Sequence, residues 1–417
     1  MGAIIINGGR PLRGTVEISG SKNAALPIIA ATVLHGGTYE LRNCPDIADV
    51  RCACAIVEEL GGHVTKAGQS LYIDTGQIFR KTVPEHLMKR MRASVLFLGP
   101  LLGRFGSAEL TLPGGCPLGC RPVDLHLEAV AAMGAAVTLR EGTICCHGPR
   151  LHGCCIDLRF PSVGATENAL MAAAACHGTV TIKNAAGEPE ICDLIAFLQA
   201  MGAQIRGGGT SELTITGGAP LRGVSYTVMP DRMETATYLC ATAGCGGEVL
   251  LLDGDGSCLE PVIEVLTRSG CDIRQRPEGL YVKSTERLRA SGHIETAPYP
   301  GFPTDAQAPL MAAFLRAKGA LEISEHIFED RFGHVPQLLR FGARIELAGN
   351  CARVRGADVL RPARVEACDL RAAAALILAA LQAEGESVVS GAHHLYRGYD
   401  DPVRKFTALG ASIRPAR

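Results

Sequence analysis

The stretch Asp369-Leu-Arg-Ala-Ala-Ala-Ala-Leu-Ile-Leu-Ala-Ala-Leu381, followed by Gly385 and the strand-like Glu386-Ser-Val-Val-Ser390, contains the architectural unit of the chain. A polar start at Asp369 and Arg371 opens a segment that is apolar on every side, so the helix it predicts belongs inside the protein. Gly385 stops that helix and a strand follows. The same order returns at Ser21 to Leu34, Met91 to Leu102, Ala165 to Ala175, Met233 to Ala243 and Ala306 to Ala317, with stops at Gly37, Gly106, Gly178, Gly247 and Gly319. A second marker, a helix end at Gly61, Gly134, Gly202, Gly270, Gly342 and Gly410 that leads into another strand, keeps the same period.

That period is roughly 70 residues, longer than the ~20 to 50 of common solenoid repeats, so stacking into a solenoid is not expected. Three units closing around three buried helices, twice over, accounts for the pattern, with a midpoint near Met229-Pro230. The second helices, such as Leu125 to Met133 and Val335 to Phe341, mix polar and apolar positions and belong nearer solvent. One strand, Ala3 to Ser19, precedes the first helix and is expected to pair with the last unit.

The chain has 417 residues, enough for two large domains. Its 41 basic and 42 acidic residues leave no basic footprint for nucleic acid, and no apolar run is long enough for a membrane span. Met1 to Arg10 lacks a basic leader and a cleavage site, so it reads as a strand and a cytoplasmic setting is expected. The 17 cysteines then read as reduced, mostly buried thiols. Neither Cys145-Cys146 nor Cys154-Cys155 has the spacing that brings two sulfurs to one metal. Asp253-Gly-Asp-Gly-Ser257 fails as a calcium loop, because Cys258 stands where the sharp turn needs glycine.

The residues at the six helix starts are all polar: Ser21-Lys-Asn23, Lys89-Arg-Met-Arg92, Ser162 with Thr166, Asp231-Arg232, Thr304-Asp305, and Asp369 with Arg371. Capping accounts for Ser21, Ser162, Thr166, Asp231, Thr304 and Asp369. It does not account for Lys22, Arg92, Arg232 or Arg371, because a cation at a helix N-terminus opposes the macrodipole by about 0.3–1 kcal/mol. An anionic ligand is expected to offset that cost, since helix N-termini bind phosphate. Arg121, Arg331 and Arg397, in the connections that open second helices, add to the cationic character.

The loop Pro113-Gly-Gly-Cys-Pro-Leu-Gly-Cys-Arg-Pro-Val-Asp-Leu125 suits neither helix nor strand. Its order is expected to come from a ligand or a partner surface. Cys116 lies near Arg121, a guanidinium that favours thiolate, which is the setting of a reactive cysteine.

With these motifs the chain resembles the enolpyruvyl transferases, and among them the branch that acts on UDP-N-acetylglucosamine. The resemblance covers essentially the whole chain. It rests on Gly20-Ser-Lys-Asn-Ala24, Met91-Arg-Ala-Ser94, Pro113-Gly-Gly-Cys116, Arg121-Pro-Val-Asp124, Ser162-Val-Gly-Ala-Thr166, Pro230-Asp-Arg232, Phe302-Pro-Thr-Asp305, Phe328-Glu-Asp-Arg331, Asp369-Leu-Arg371 and Arg397-Gly-Tyr399. It implies an α/β fold of two similar domains, each of three repeated β/α units packed around buried helices, an inside-out α/β barrel. Residues 22–229 would form the first domain with the catalytic loop 113–125, and residues 1–21 with 230–417 the second. The active site would lie between them.

The implied activity is transfer of the enolpyruvyl group of phosphoenolpyruvate to the 3'-hydroxyl of UDP-N-acetylglucosamine, by a monomer and without metal or cofactor. By position, Cys116 would be the general acid and the thiol that fosfomycin alkylates in the family. Lys22, Arg121 and Arg397 would hold phosphoenolpyruvate. Asn23, Arg92, Arg121, Pro122, Val123, Asp124, Leu125, Ser162, Val163, Gly164 and Ile327 would line the UDP-sugar. Asp305, near the reacting hydroxyl, would join them together with Arg331, Asp369 and Arg371. The sequence departs from family habit at Phe160, where some members have lysine, and at Gly187, where arginine is common. The alternatives are a shikimate-pathway enolpyruvyl transferase, against which the cysteine loop and Ser21-Lys-Asn-Ala24 argue, and a silent paralogue that only binds a nucleotide-sugar.

Overall fold

The computed structural model describes residues 2–114, 123–284, 287–290 and 292–416. They fall into two compact units, one of residues 20–114 and 123–229, here the first unit, and one of residues 2–19 with 230–416, the second unit. Each unit has its own apolar core.

In the first unit the buried helices are Lys22–Ala31, Leu98–Phe105 and Val163–Ala174; in the second they are Arg232–Cys245, Thr304–Ala313 and Leu370–Gln382. Three sheets enclose each trio, and five of the six share one plan. In the first unit, for example, Thr179–Lys183 follows a buried helix, pairs antiparallel with Glu212–Thr216, and receives Cys155–Asp157 in parallel on its other side. Gln204–Arg206 completes the set against Glu212–Thr216. The six glycines from Gly61 to Gly410 that end second helices all have positive φ, from +83° to +116°. An L side chain is strained there, and this explains why the marker is glycine each time.

The opening strand differs from expectation. It is two strands, Ile4–Gly8 and Leu12–Glu17. Ile4–Gly8 lies between Gly385–Ser390 and Ser412–Pro415 of the sixth unit, with Ile4 opposite Val389 and Pro415. Leu12–Glu17 instead runs parallel to Gly247–Leu252 of the fourth. Pro11 lacks the donor that a continuous ladder needs, and the chain turns from one sheet to the next at Gly9-Arg10-Pro11. Ser225–Thr227 plays the corresponding closing role in the first unit, parallel to Thr38–Arg42.

Two helices are shorter than their apolar runs. Lys22–Ala31 passes into a 3₁₀ turn at Thr32–Leu34, and Thr304–Ala313 into one at Phe314–Arg316. Each carries a proline inside, Pro27 and Pro309, which removes a helical hydrogen bond. The run from Met91 begins as a 3₁₀ turn, Arg92–Phe97, and continues as the α-helix Leu98–Phe105. Of the fifteen described cysteines, six, among them Cys44 and Cys240, are buried, Cys155 is exposed and eight are half-buried. The expected burial of most thiols therefore holds for a minority, since others, such as Cys54 and Cys192 on outer helices and Cys145 and Cys351 on strands, sit at positions that only partly reach a core. No helix among the described residues is long and apolar enough to cross a membrane.

Asn168 ties the starts of two buried helices in the first unit. Its Oδ1 accepts from Gly99 N at 2.7 Å and its Nδ2 donates to Val95 O at 3.1 Å. In the second unit, Lys405 Nζ donates to Glu234 Oε1 at 2.7 Å and to Ser19 Oγ at 2.6 Å, while Ser19 N donates to Glu234 Oε2 at 2.7 Å. Both charged side chains are almost fully buried, at 6% and 2% exposure. Burial raises the Glu234 carboxyl, and Lys405 opposes it. Lys405→Met is expected to cost about 3 kcal/mol at pH 7, because it strands a buried carboxylate. A raised carboxyl contributes stability below its unfolded value that is lost as pH rises, so the cost should shrink toward pH 4.5. Adding Glu234→Gln should recover much of the loss in urea unfolding at pH 7.

Candidate active site

In both units the polar residues at the helix starts are gathered, because the three buried helices of a unit run parallel. In the second unit Asp305 Oδ1 accepts from Arg331 Nη2 at 2.7 Å and Asp305 Oδ2 accepts from Arg371 Nη2 at 2.8 Å. Arg371 Nη1 donates to Tyr399 Oη at 3.1 Å, and that hydroxyl shares a 2.7 Å hydrogen bond with Thr237 on the Arg232–Cys245 helix. One network thus joins the first turns of Thr304–Ala313 and Leu370–Gln382 to Arg232–Cys245. At the opposite end, Gly244 leaves no room for a Cβ against Ala313 and Gln382.

Asp369 caps its helix, with Oδ1 accepting from Arg371 N and Ala372 N at 2.8 and 3.0 Å. Asp231 does the same for Met233 and Glu234. Ser21 and Ser162 cap theirs. Thr304 and Thr166 depart from the expected role. Thr304 is the first helical residue and gives its hydroxyl to Glu325. Thr166 lies one turn inside, where its hydroxyl accepts from Ala186 N.

Protein carboxylates, and not a ligand alone, answer the cations at the helix starts. Lys22 Nζ lies 2.8 Å from Asp49 Oδ2, and Asp49 comes from the first turn of the Ala48–Glu59 helix. Burial disfavours the Arg371 charge, but Asp305 and further anionic neighbours outweigh it and the guanidinium pKa is raised. Both oxygens of Asp305 are held by guanidinium, which fixes the orientation of the carboxylate, and the side chain is about a third exposed.

In the first unit, Lys22, Asn23, Arg92, Ser162, Val163 and Gly164 are all half-buried at helix starts. Val123, Asp124 and Leu125 open the Asp124–Ala132 helix nearby, whose His126 Nδ1 shares a 2.7 Å hydrogen bond with Asn168. A Cβ on Gly164 would come 3.0 Å from the His126 ring. Burial pushes His126 down to about 4, with Arg92 adding to the effect, so the ring is neutral at pH 7. Burial works against the Asp124 charge, but the hydrogen bond and charge of Arg159 and backbone amides at the helix start together outweigh it and hold the carboxyl below its usual range. Arg159 bridges Asp124 and Glu128. It places a cation next in sequence to the exposed Phe160.

Arg397 ends the 3₁₀ turn Ala392–Arg397 and is half-buried, as is Ile327. Cys116, Arg121 and Pro122 lie outside the described residues, as does Cys120. Several participants carried no sequence signal: Asp49, Asn168, Thr237 and Glu325 sit one turn or more from the helix starts, or on other elements. Among the described residues, no group of three or more His, Cys, Asp or Glu side chains could hold a metal ion. A cavity of ≈ 480 Å³ between Glu58, Phe79, Arg80 and Arg90 contains no candidate residue.

A buried trio of parallel helices with polar, cation-bearing starts gathered at one end, twice over, is the architecture of the enolpyruvyl transferases. The family model of EPSP synthase (3-phosphoshikimate 1-carboxyvinyltransferase) matches residues 6–406, and the chain belongs to this family. It is 44% identical, over 99% of both chains, to the UDP-N-acetylglucosamine 1-carboxyvinyltransferase of Ruegeria pomeroyi. It is 46% identical to that of Paracoccus denitrificans, over 99% of this chain and 98% of the relative. Among solved structures, the enolpyruvyl transferase NikO of Streptomyces tendae is 29% identical, with a TM-score of 0.88 over 100% of this chain and 99% of that one. EPSP synthase of Acinetobacter baumannii, 18% identical with full coverage of both chains and a TM-score of 0.78, shares the fold.

His334, whose Nδ1 lies 3.2 Å from Arg331 O, is also pushed by burial to about 4. A histidine with a depressed folded pKa contributes stability that is complete above about 6.5 and is lost as pH falls toward 4. Unfolding free energy should therefore drop between pH 6.5 and 4. His334→Asn, whose amide can take over the bond to Arg331 O, should flatten that slope by up to about 1.4 kcal/mol per pH unit.

Proposed function

We infer that the chain transfers the enolpyruvyl group of phosphoenolpyruvate to the 3'-hydroxyl of UDP-N-acetylglucosamine and releases phosphate, the first committed step of peptidoglycan synthesis. The observation that carries this is the 44–46% identity, along nearly the whole chain, to proteins named for that activity. The enzyme works as a monomer in the cytoplasm.

The chemistry asks for a proton to carbon, a base for a hydroxyl, and cations to hold phosphate and carboxylate. Cys116 gives its proton to C3 of the enol, C2 becomes electrophilic, and the sugar hydroxyl adds there as it loses its own proton. Phosphate then leaves C2 and a proton leaves C3, which restores the vinyl group. Lys22, Arg121 and Arg397 hold the phosphoenolpyruvate anion, and positive helix ends stabilise charge as it develops. Asn23, Arg92, Pro122, Val123, Asp124, Leu125, Ser162, Val163, Gly164, Ile327, Arg331, Asp369 and Arg371 line the nucleotide-sugar. Asp305, steered by Arg331 and Arg371, orients the reacting hydroxyl.

Phosphate release with phosphoenolpyruvate should require UDP-N-acetylglucosamine, and shikimate 3-phosphate should not replace it; the reverse preference would overturn the reading. Cys116→Ser should lose most turnover and all covalent labelling by fosfomycin in intact-mass spectra, whereas Cys116→Asp keeps an acid and should remain active and unlabelled. Lys22→Ala and Arg397→Ala should raise KM for phosphoenolpyruvate, while Asp305→Ala should act mainly on kcat, by about 10²-fold or more.

A further inference from the structure

Glu325 follows the strand Lys318–Ser324 directly, is 3% exposed, and has a carboxylate turned into the protein. Its Oε1 accepts from Thr296 Oγ1 at 2.9 Å, Ile327 N at 2.8 Å and Phe328 N at 3.1 Å. Its Oε2 accepts from Thr304 Oγ1 at 2.9 Å. Thr296 Oγ1 in turn accepts from His326 N at 2.9 Å, so three successive amides of the 326–328 segment end on two side chains. The Thr304 carbonyl accepts from Arg331 Nε and Nη2, and the same Nη2 reaches Asp305. The circuit is closed: carboxylate to loop, loop to Arg331, Arg331 to the Thr304–Asp305 helix start, and Thr304 back to the carboxylate.

We propose that Glu325 is a positioning residue that locks Ile327 and Asp305 into one rigid piece, so that the loop facing the nucleotide and the carboxylate facing the sugar hydroxyl keep a fixed separation. The placing of Ile327 and Asp305 against substrate rests on the function proposed above. Two backbone amides and two hydroxyls converge on one buried group, and only a carboxylate offers enough lone pairs to accept from all four. Such hydrogen bonds to a charged acceptor are stronger than neutral ones. Lys22 and Arg397, assigned above to phosphoenolpyruvate, are not among the donors to the Glu325 carboxylate.

Three variants test this. Glu325→Ala removes every acceptor and should raise KM for UDP-N-acetylglucosamine and lower kcat, each by about tenfold or more, with KM for phosphoenolpyruvate within about twofold of wild type. Glu325→Gln keeps one oxygen for Thr296, Ile327 and Phe328 and turns an amide toward Thr304, whose hydroxyl can reverse and accept; it should recover most of both losses. Glu325→Asp is one methylene too short to span the circuit and should resemble alanine. Amide hydrogen exchange followed by mass spectrometry gives a readout independent of catalysis. Peptides over 325–331 and 303–306 should exchange faster in Glu325→Ala and return toward wild type in Glu325→Gln, with the rest of the second unit unchanged.

Exchange that is unchanged in those peptides, or faster throughout the unit, overturns the proposal. So does a rise in KM for both substrates together. Wild-type protein that fails to turn over UDP-N-acetylglucosamine counts against the functional reading alone, and the exchange result then decides the positioning role by itself.

Discussion

A helix that is apolar around its whole circumference has to be enclosed, and the architecture of this protein follows from satisfying that demand six times. One sheet covers only one side of a helix, so three helices pack together and three sheets close round them. The glycines at Gly99, Gly103 and Gly244 remove side chains where the helices come closest. Because every repeat enters its helix from the same direction, the three starts fall at one end of the bundle and their macrodipoles add. The electropositive end is thus a by-product of how the core is built, and the chemistry of the site makes use of it.

The charges added at that end are more balanced than a reading of helix starts alone conveys. Lys22 meets Asp49, and Arg331 and Arg371 share Asp305, while Asp231 and Asp369 occupy caps beside them. A cluster of cations without such partners would strain the apo protein and shift with every change in salt. Carboxylates within the same clusters fix the orientation of each guanidinium before substrate arrives, so less reorganisation is left for the moment of binding.

The sequence carried the fold at the level of repeats. Two glycine markers with one period located every buried helix, and the residues at Lys22, Arg92, Asp305 and Arg371 followed from comparing one repeat with the next. What it did not carry depends on contacts between distant segments. Nothing local to Thr304 distinguishes a cap from a donor to Glu325, and Thr166 reads as a cap until Ala186 is seen to use its hydroxyl. Asp49 and Asn168 lie on helices with no unusual composition, and only tertiary packing turns them toward Lys22 and Gly99. The break of the opening strand at Pro11 was signalled by the proline, but the two destinations of its halves were not.

Those two destinations bear on how the chain matures on the ribosome. Residues 20–229 contain everything their unit needs, including the closing strand Ser225–Thr227, so this half can complete its core while the rest is still being made. Ile4–Gly8 belongs to the other half and pairs with Gly385–Ser390 and Ser412–Pro415, which are synthesised more than 370 residues after it. Until those strands are made, Ile4-Ile-Ile6 waits as an unmatched apolar strand with both edges open. A segment made before its partners is placed only after them, and until then its apolar edges have to be kept from pairing with neighbouring chains.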